Sequence, residues 1–313
     1  MKHAGFAALA AMTLLSSAPA LAQDVGEDSR DASRSADHAV GIDLFASTDA
    51  DDTDVIRVGV NLDPRYKGPE DYLGIRVEKA WYRPLGLATV GKERVFLRYA
   101  NGAGDWKWNT QVGTDGDTVI GSASIHDEAR FRKELFVERD IVETPRGVSD
   151  GIYYTFVGAA LDLPVDDRNS FTVLAGAQEF TGKNVRLHAR ANFVHMVKPE
   201  WGLSAQLRTR YFRNSEPREY DYYSPRWYVQ ALPVLQLRRY SDSGWRYMVA
   251  GGIGAQRDAV SDWRASYYAA AEVTSPAIGR NWHLKAAALY NNIPQNSGAY
   301  DYNQLTIGIT RAF

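Results

Sequence analysis

The chain closes on Tyr302-Asn303-Gln304-Leu305-Thr306-Ile307-Gly308-Ile309-Thr310-Arg311-Ala312-Phe313, and the parity of this stretch sets how everything before it is read. Its odd positions carry Leu305, Ile307, Ile309, Arg311 and Phe313, whereas its even positions carry Gln304, Thr306, Gly308, Thr310 and Ala312. A period of two puts each set on its own face of a strand, one face apolar and the other small or polar. The same alternation runs back through the chain. Trp282, Leu284, Ala286, Ala288 and Tyr290 oppose His283 and Lys285, and Trp245, Tyr247, Val249 and Ile253 oppose Arg246, Met248 and Gln256. Leu203, Ala205, Leu207 and Tyr211 oppose Ser204, Gln206, Arg208 and Arg210, while Val185, Leu187, Ala189, Ala191 and Phe193 oppose Arg186, His188, Arg190 and Asn192. Trp227, Val229, Ala231, Leu235 and Leu237 oppose Arg226, Tyr228, Gln230, Gln236 and Arg238, with Pro233 the one residue that weakens the strand.

Alternation alone also suits a soluble sandwich. The charge on the polar face, with Trp or Tyr near the strand ends, points instead to a lipid-facing band between interfacial girdles. Arginine at mid-bilayer on the lipid face costs roughly 2 to 4 kcal/mol, so each strand has one sensible orientation, arginines inward. The N-terminus agrees with an exported chain. Met1-Lys2-His3, an apolar run from Ala4 to Leu15, and Ala20-Leu21-Ala22 before Gln23 compose a signal peptide over residues 1–22. Residues 23–38 are small, polar and charged and are expected to form a flexible leader. After the signal no run reaches the ~18 apolar residues of a spanning helix. A closed sheet is the other structure that satisfies every backbone group in lipid.

The expectation is therefore an all-β, antiparallel, up-and-down transmembrane β-barrel over residues 39–313, of about sixteen strands, with fourteen as the alternative count. Candidate strands centre near residues 43, 57, 76, 96, 109, 121, 136, 156, 174, 190, 207, 231, 250, 269, 285 and 308, and those near 43, 57 and 121 are the least regular. Gly and Pro clusters such as Asn101–Asp105, Lys198–Gly202 and Ser241–Gly244 fall between the runs. With both ends in the periplasm, Ser47–Asp54, Glu143–Gly151, Arg213–Pro225 and Asn291–Asp301 become outside connections. The localisation implied is the outer membrane of a Gram-negative bacterium, in contact with membrane lipid and lipopolysaccharide.

Few constellations suit chemistry. The 313 residues include no cysteine, which excludes disulfides, thiolate metal sites and a cysteine nucleophile. Thirty-six basic against 38 acidic residues give no general reason to expect nucleic acid as a partner. The histidines beyond the signal, at 38, 126, 188, 195 and 283, form no HExxH, and no G-x-S-x-G elbow is present. His188 is followed by Ala189-Arg190-Ala191, not by the His-x-Ser-Asn of the outer-membrane phospholipase. Asp49-Ala50-Asp51-Asp52-Thr53-Asp54 has oxygen ligands but lacks the spacing and closing Glu of a calcium loop. No catalytic residue, metal or cofactor is expected, and a hydrolase on the barrel rim is the weakest of the alternatives.

The informative cluster is basic. Arg186, His188, Arg190, Arg208, Arg210, Arg226, Arg238 and Arg246 fall on the inward row of successive strands, with Gln206, Tyr228, Gln230 and Gln236 among them. Glu134, Glu138 and Asp140, with Glu78 and Glu272, supply inward carboxylates elsewhere. These groups either fill the lumen with salt bridges or line a hydrated passage whose guanidinium, amide and aromatic groups suit polyhydroxylated or anionic solutes.

Two stretches resemble known families. A last amphipathic strand bearing Leu305, Ile307, Ile309 and Phe313 resembles the C-terminal signal of bacterial outer-membrane barrels, which implies recognition by the barrel-assembly machinery. Tyr220-Asp221-Tyr222-Tyr223-Ser224-Pro225-Arg226-Trp227-Tyr228, together with the late strands, resembles the barrel domain of exopolysaccharide-export porins, the cellulose and poly-N-acetylglucosamine exporters. The resemblance implies a sixteen-stranded barrel that passes a polysaccharide outward. Those exporters carry tetratricopeptide helices before the barrel, and no 34-residue helical repeat occurs here, so a separate periplasmic scaffold is implied. No Walker-type loop is present, and flow would be passive. The alternative function is a plugged receptor or structural barrel that displays its loops.

Overall fold

The computed structural model describes residues 37–49, 53–84, 86–276, 281–295 and 298–313. The signal peptide, nearly all of the leader and part of the acidic Asp49–Asp54 run lie outside the described residues. Sixteen strands follow in order: β1 (Ala39–Asp49), β2 (Asp54–Gly68), β3 (Asp71–Arg83), β4 (Val90–Ala103), β5 (Trp106–Thr114), β6 (Val119–Asp127), β7 (Lys133–Ile141) and β8 (Tyr153–Pro164). They continue as β9 (Asn169–Phe180), β10 (Val185–Lys198), β11 (Leu203–Asn214), β12 (Trp227–Tyr240), β13 (Arg246–Asp258), β14 (Arg264–Thr274), β15 (Trp282–Gln295) and β16 (Gly298–Ala312). Each pairs antiparallel with its sequence neighbours, and β1 pairs with β16 to close the ring. The irregular segments near residues 43, 57 and 121 are full members, β1, β2 and β6, which removes fourteen as a count. Among the described residues no helix is long and apolar enough to cross a membrane.

Closure is completed by backbone bonds at the strand ends. Phe313 N donates to His38 O at 2.9 Å, and Asp37 N and His38 N donate to Phe313 O. One rim thus holds both ends of the ring. The two long connections, 142–152 and 215–226, lie at the opposite rim. Barrels of this kind keep short turns in the periplasm and long loops outside, which makes the terminal rim periplasmic. The Asn291–Asp301 connection is shorter than expected, because the ladder runs on to Gln295 paired with Gly298.

The two faces follow the parity of the sequence. Odd residues of the late strands point outward, and large apolar side chains there stay exposed, Ile253 at 69% and Leu235 at 62%. So do Leu97 at 66% and Leu135 at 60% on the early strands. A soluble monomer rarely leaves so continuous an apolar surface in water. Aromatics mark both ends of this band: Trp106, Trp201, Trp282 and Phe313 toward the terminal rim, Trp81 and Trp227 toward the other. Arg311, the charged member of the last outward row, lies over the Trp282 ring at 5.4 Å, at head-group level rather than in the band. Pro233 also faces outward. Pairing with β13 lapses at Leu232 and Pro233, where the N–H is missing, and resumes in the same register at Val234. At the turn into β11, Gly202 holds φ +66°, and a Cβ there would stand 1.8 Å from the Arg238 carbonyl oxygen. Only glycine fits that turn. The protein is an outer-membrane β-barrel.

Candidate functional site: the barrel lumen

The lumen divides into two chemically different halves. On β2 to β8 the inward residues form a dry core of cross-linked charges. Arg94 on β4 donates Nη2 to both carboxylate oxygens of Asp140 on β7 at 2.9 Å, and its Nη1 lies 3.0 Å from Glu78 on β3. Arg57 on β2 reaches Asp140 at 3.8 Å and pairs with Glu143 beyond β7. Lower down, Arg76 bridges Asp43 and Glu78, and Arg98 pairs with Asp63. Val55, Tyr82, Phe96, Ile120 and Ile141 pack beside this network with almost no exposure.

The contact from β2 to β7 constrains the shape. A circular ring of sixteen strands, about 4.8 Å apart and tilted by about 40°, is about 32 Å across and separates strands five places apart by about 26 Å. An arginine and an aspartate together do not span that gap. The wall on this side is therefore drawn inward, and the space left for solute lies against the other half.

β10 and β11 carry arginines and no carboxylate. Arg186 is 1% exposed, donates Nε to Asn214 Oδ1 at 2.9 Å and Nη2 to the Tyr223 carbonyl, and sits over the Phe180 and Phe212 rings. Below it, Arg190 and Arg210 face each other as register partners and both are buried. Arg208 is half-buried, donates Nε to Gln206 Oε1 at 3.0 Å and lies 4.7 Å from the Tyr268 ring centre. Among the described residues no carboxylate comes within ion-pair distance of Arg186, Arg208 or Arg210, whereas seven arginines on or beside β2 to β8 have such partners or share them. A cavity of about 150 Å³ opens here, lined by Arg190, Arg208, Arg210, Gln230, Gln236 and Tyr268 among others. Glu272 is the carboxylate on its lining, and Arg246 holds it at 2.5 Å.

The outer mouth is narrowed by two loops. Residues Pro145–Asp150 form the short helix α1, capped by Thr144, whose Oγ1 accepts from Gly147 N, and terminated by Gly151 in the left-handed conformation. Asp221, on the 215–226 loop, accepts from Thr144 Oγ1 and from Arg146 N, both at 2.7 Å, and so ties the loops together. Val148 of the helix is buried against the β2 to β8 core. Tyr222 stacks on Phe180 at 4.3 Å with its hydroxyl accepting from Asn184, and Tyr223 donates to Asp258 at 2.7 Å. Beneath them Phe212, Tyr228 and Tyr302 form a buried aromatic layer, Tyr228 fully so.

The inward row of the sequence reading is distributed across these environments. Arg190, Arg208, Arg210, Gln230 and Gln236 meet at the cavity. Gln206, beside Arg208, donates to Ser204 Oγ at 3.4 Å. Gln230 donates to Ser266 Oγ at 2.6 Å, and Tyr228 donates to Gln256 Oε1 at 2.7 Å in the aromatic layer. His188 is packed between Phe156 and Phe212 with Nε2 3.1 Å from Gln178 Oε1. Arg238 and Arg246 stand near the periplasmic rim. Glu134 pairs with Arg132 at 3.1 Å, and Glu138 accepts from the Tyr154 hydroxyl at 2.7 Å, both in the dry half. Arg226 departs from the wall: it precedes β12, is exposed, and stands at the outer rim, because the strand begins one residue later. The last strand sends Leu305, Ile307, Ile309 and Phe313 outward. Missing from the sequence reading are Arg57, Arg76, Arg94 and Arg98. Each alternates with outward Val or Leu residues, so the same parity would have placed them inward.

No family model and no curated protein matches the chain. Similar solved structures exist. A bacterial polysaccharide outer membrane secretin shares 12% identity with a TM-score of 0.65, over 88% of this chain and 98% of that one. OccK5 (OpdH) of Pseudomonas aeruginosa has 10% identity and a TM-score of 0.43, over 88% of this chain and 98% of that one. OprD of the same organism has 9% identity and a TM-score of 0.42, over 88% and 95%. The first likeness agrees with the sixteen-stranded, outer-membrane fold built above.

Proposed function

We propose that the protein is an outer-membrane channel that passively passes a hydrated solute, an exopolysaccharide moving outward during export. The observation that carries this reading is the cavity between β10 and β16 onto which Arg190, Arg208, Arg210, Gln230 and Gln236 converge. Guanidinium, amide and aromatic groups there offer hydrogen bonds that form and break along a hydrated chain, inside a ring whose outer face suits lipid. The likeness in fold to a polysaccharide secretin supports the solute class. Synthesis elsewhere supplies the drive, a separate periplasmic protein supplies the scaffold, and the outward Leu305, Ile307, Ile309 and Phe313 serve the assembly machinery.

A second reading is favoured by one specific observation: the buried layer of Phe212, Tyr228 and Tyr302 beneath the tied loops fits a plugged receptor or structural barrel. Planar-bilayer recording separates the two. The channel reading predicts ohmic steps from the folded, purified protein, open for longer when Asp221 is replaced by alanine. A bilayer that stays sealed with both proteins refutes it and leaves the plugged barrel.

A further inference from the structure

The arginines of β10 and β11 pose an energetic problem. Taking a charge out of water is expensive unless a counter-charge or a full set of hydrogen bonds replaces the solvent. Arg210 is 6% exposed, and its Nε has no hydrogen-bond partner. Its guanidinium lies 5.6 Å from the Phe212 ring centre, which offers a modest cation–π attraction and no compensating charge. Arg208 beside it has an amide and a ring as partners. The remainder of the lumen is balanced differently, with Arg57, Arg76, Arg94 and Arg98 each facing carboxylates. Positive charge in excess of its partners is thus concentrated on the lining of one cavity of about 150 Å³, the size of a single sugar ring rather than of a bare ion.

We propose that this cavity is a binding subsite for the carboxylate of an acidic sugar, with Arg208 and Arg210 as the recognising pair. This rests on the reading of the protein as a polysaccharide channel and narrows its solute to uronate-bearing chains. The planar fork of a guanidinium presents parallel N–H groups to the two oxygens of a carboxylate. Gln230 and Gln236 face the same space and present amides to ring hydroxyls, and Tyr268 presents an aromatic face. A neutral sugar satisfies the amides and leaves the charge of Arg210 uncompensated.

The test is calorimetric titration of the detergent-solubilised, folded barrel with D-glucuronate, D-glucose and inorganic phosphate. Glucuronate is expected to bind, with affinity falling as salt rises, and glucose to give no signal at the same concentrations. R208Q and R210Q are each expected to weaken glucuronate at least tenfold. R213Q, on the outward row of the same strand, leaves it unchanged. Equal binding of glucose and glucuronate overturns the proposal, as does glucuronate binding that survives both substitutions, or a preference for phosphate over glucuronate. If R210Q does not fold, as heat-modifiable gel mobility reports, the half-buried R208Q decides by itself. Because binding is measured without a membrane, its failure leaves the conductance test of the channel untouched, and the reverse holds too.

Discussion

Replacing Ile253 by arginine isolates the claim that the outward face meets lipid. Ile253 lies on the outward row of β13 between Tyr247 toward one rim and Arg257 toward the other, and 69% of it is exposed. Arginine at the bilayer midplane costs roughly 2 to 4 kcal/mol. Loss of an isoleucine two-thirds immersed in an apolar medium adds about 1 to 2 kcal/mol. The sum is a destabilisation of about 3 to 6 kcal/mol, a large fraction of the about 5 to 15 kcal/mol by which folded chains are stable. Val260 provides the control: it is 55% exposed in the connection just beyond the same strand, where water or head groups surround it. V260R should change stability by less than about 0.5 kcal/mol. Both are read from urea unfolding in phosphatidylcholine vesicles, followed by tryptophan fluorescence. If I253R unfolds within about 0.5 kcal/mol of the wild type, the outer face is not in hydrocarbon and the reasoning fails.

Three further outcomes are expected. D140A removes one of the two carboxylates that face each of Arg94 and Arg57, Glu78 and Glu143 remaining, and should cost about 1.5 to 3 kcal/mol, the range for hydrogen bonds to a charged group, whereas a loss under about 0.5 kcal/mol in the same urea assay would mean that water already reaches them. D221A removes two hydrogen bonds worth about 1 kcal/mol each, so the population with parted loops should rise roughly 5- to 30-fold, seen as longer open times and faster proteolysis within 215–226, and unchanged values of both rule out the tie. Burial works against the Asp115 carboxylate, but the Tyr153 hydroxyl, the N–H groups of Asp117 and Thr118 and the Lys92 ammonium outweigh it and hold its pKa below the usual range. A depressed folded value stabilises above the unfolded pKa and is lost as pH falls through the folded one, so the advantage of wild type over D115N should shrink below about pH 4, and an advantage constant down to pH 2 would contradict this.

Parity alone made most of the ring legible, because a strand between lipid and lumen has no freedom to mix its rows. Arg208 and Leu207 could not exchange faces without placing a charge in hydrocarbon. What lies across the lumen was not legible. Nothing local in Arg57 or Asp140 says that β2 and β7 approach, since that depends on how the ring is deformed. The same holds for His188, whose inward position was clear and whose aromatic packing was not. Helix α1 carries its marks in the sequence, Thr144 followed by Pro145 at the start and Gly151 after the end, yet they are short-range ones. Six residues carry too little periodicity to stand out among strands.

The ion pairs that draw β2 and β7 together separate two quantities ordinarily treated as one. Bore is commonly inferred from strand number, yet here the clear width is set by a handful of side chains on a ladder that would persist without them. Selectivity by size can then drift through point mutations at Arg57, Arg94 or Asp140 while the hydrogen-bonded frame stays the same. Homologues of equal strand number need not admit solutes of equal girth.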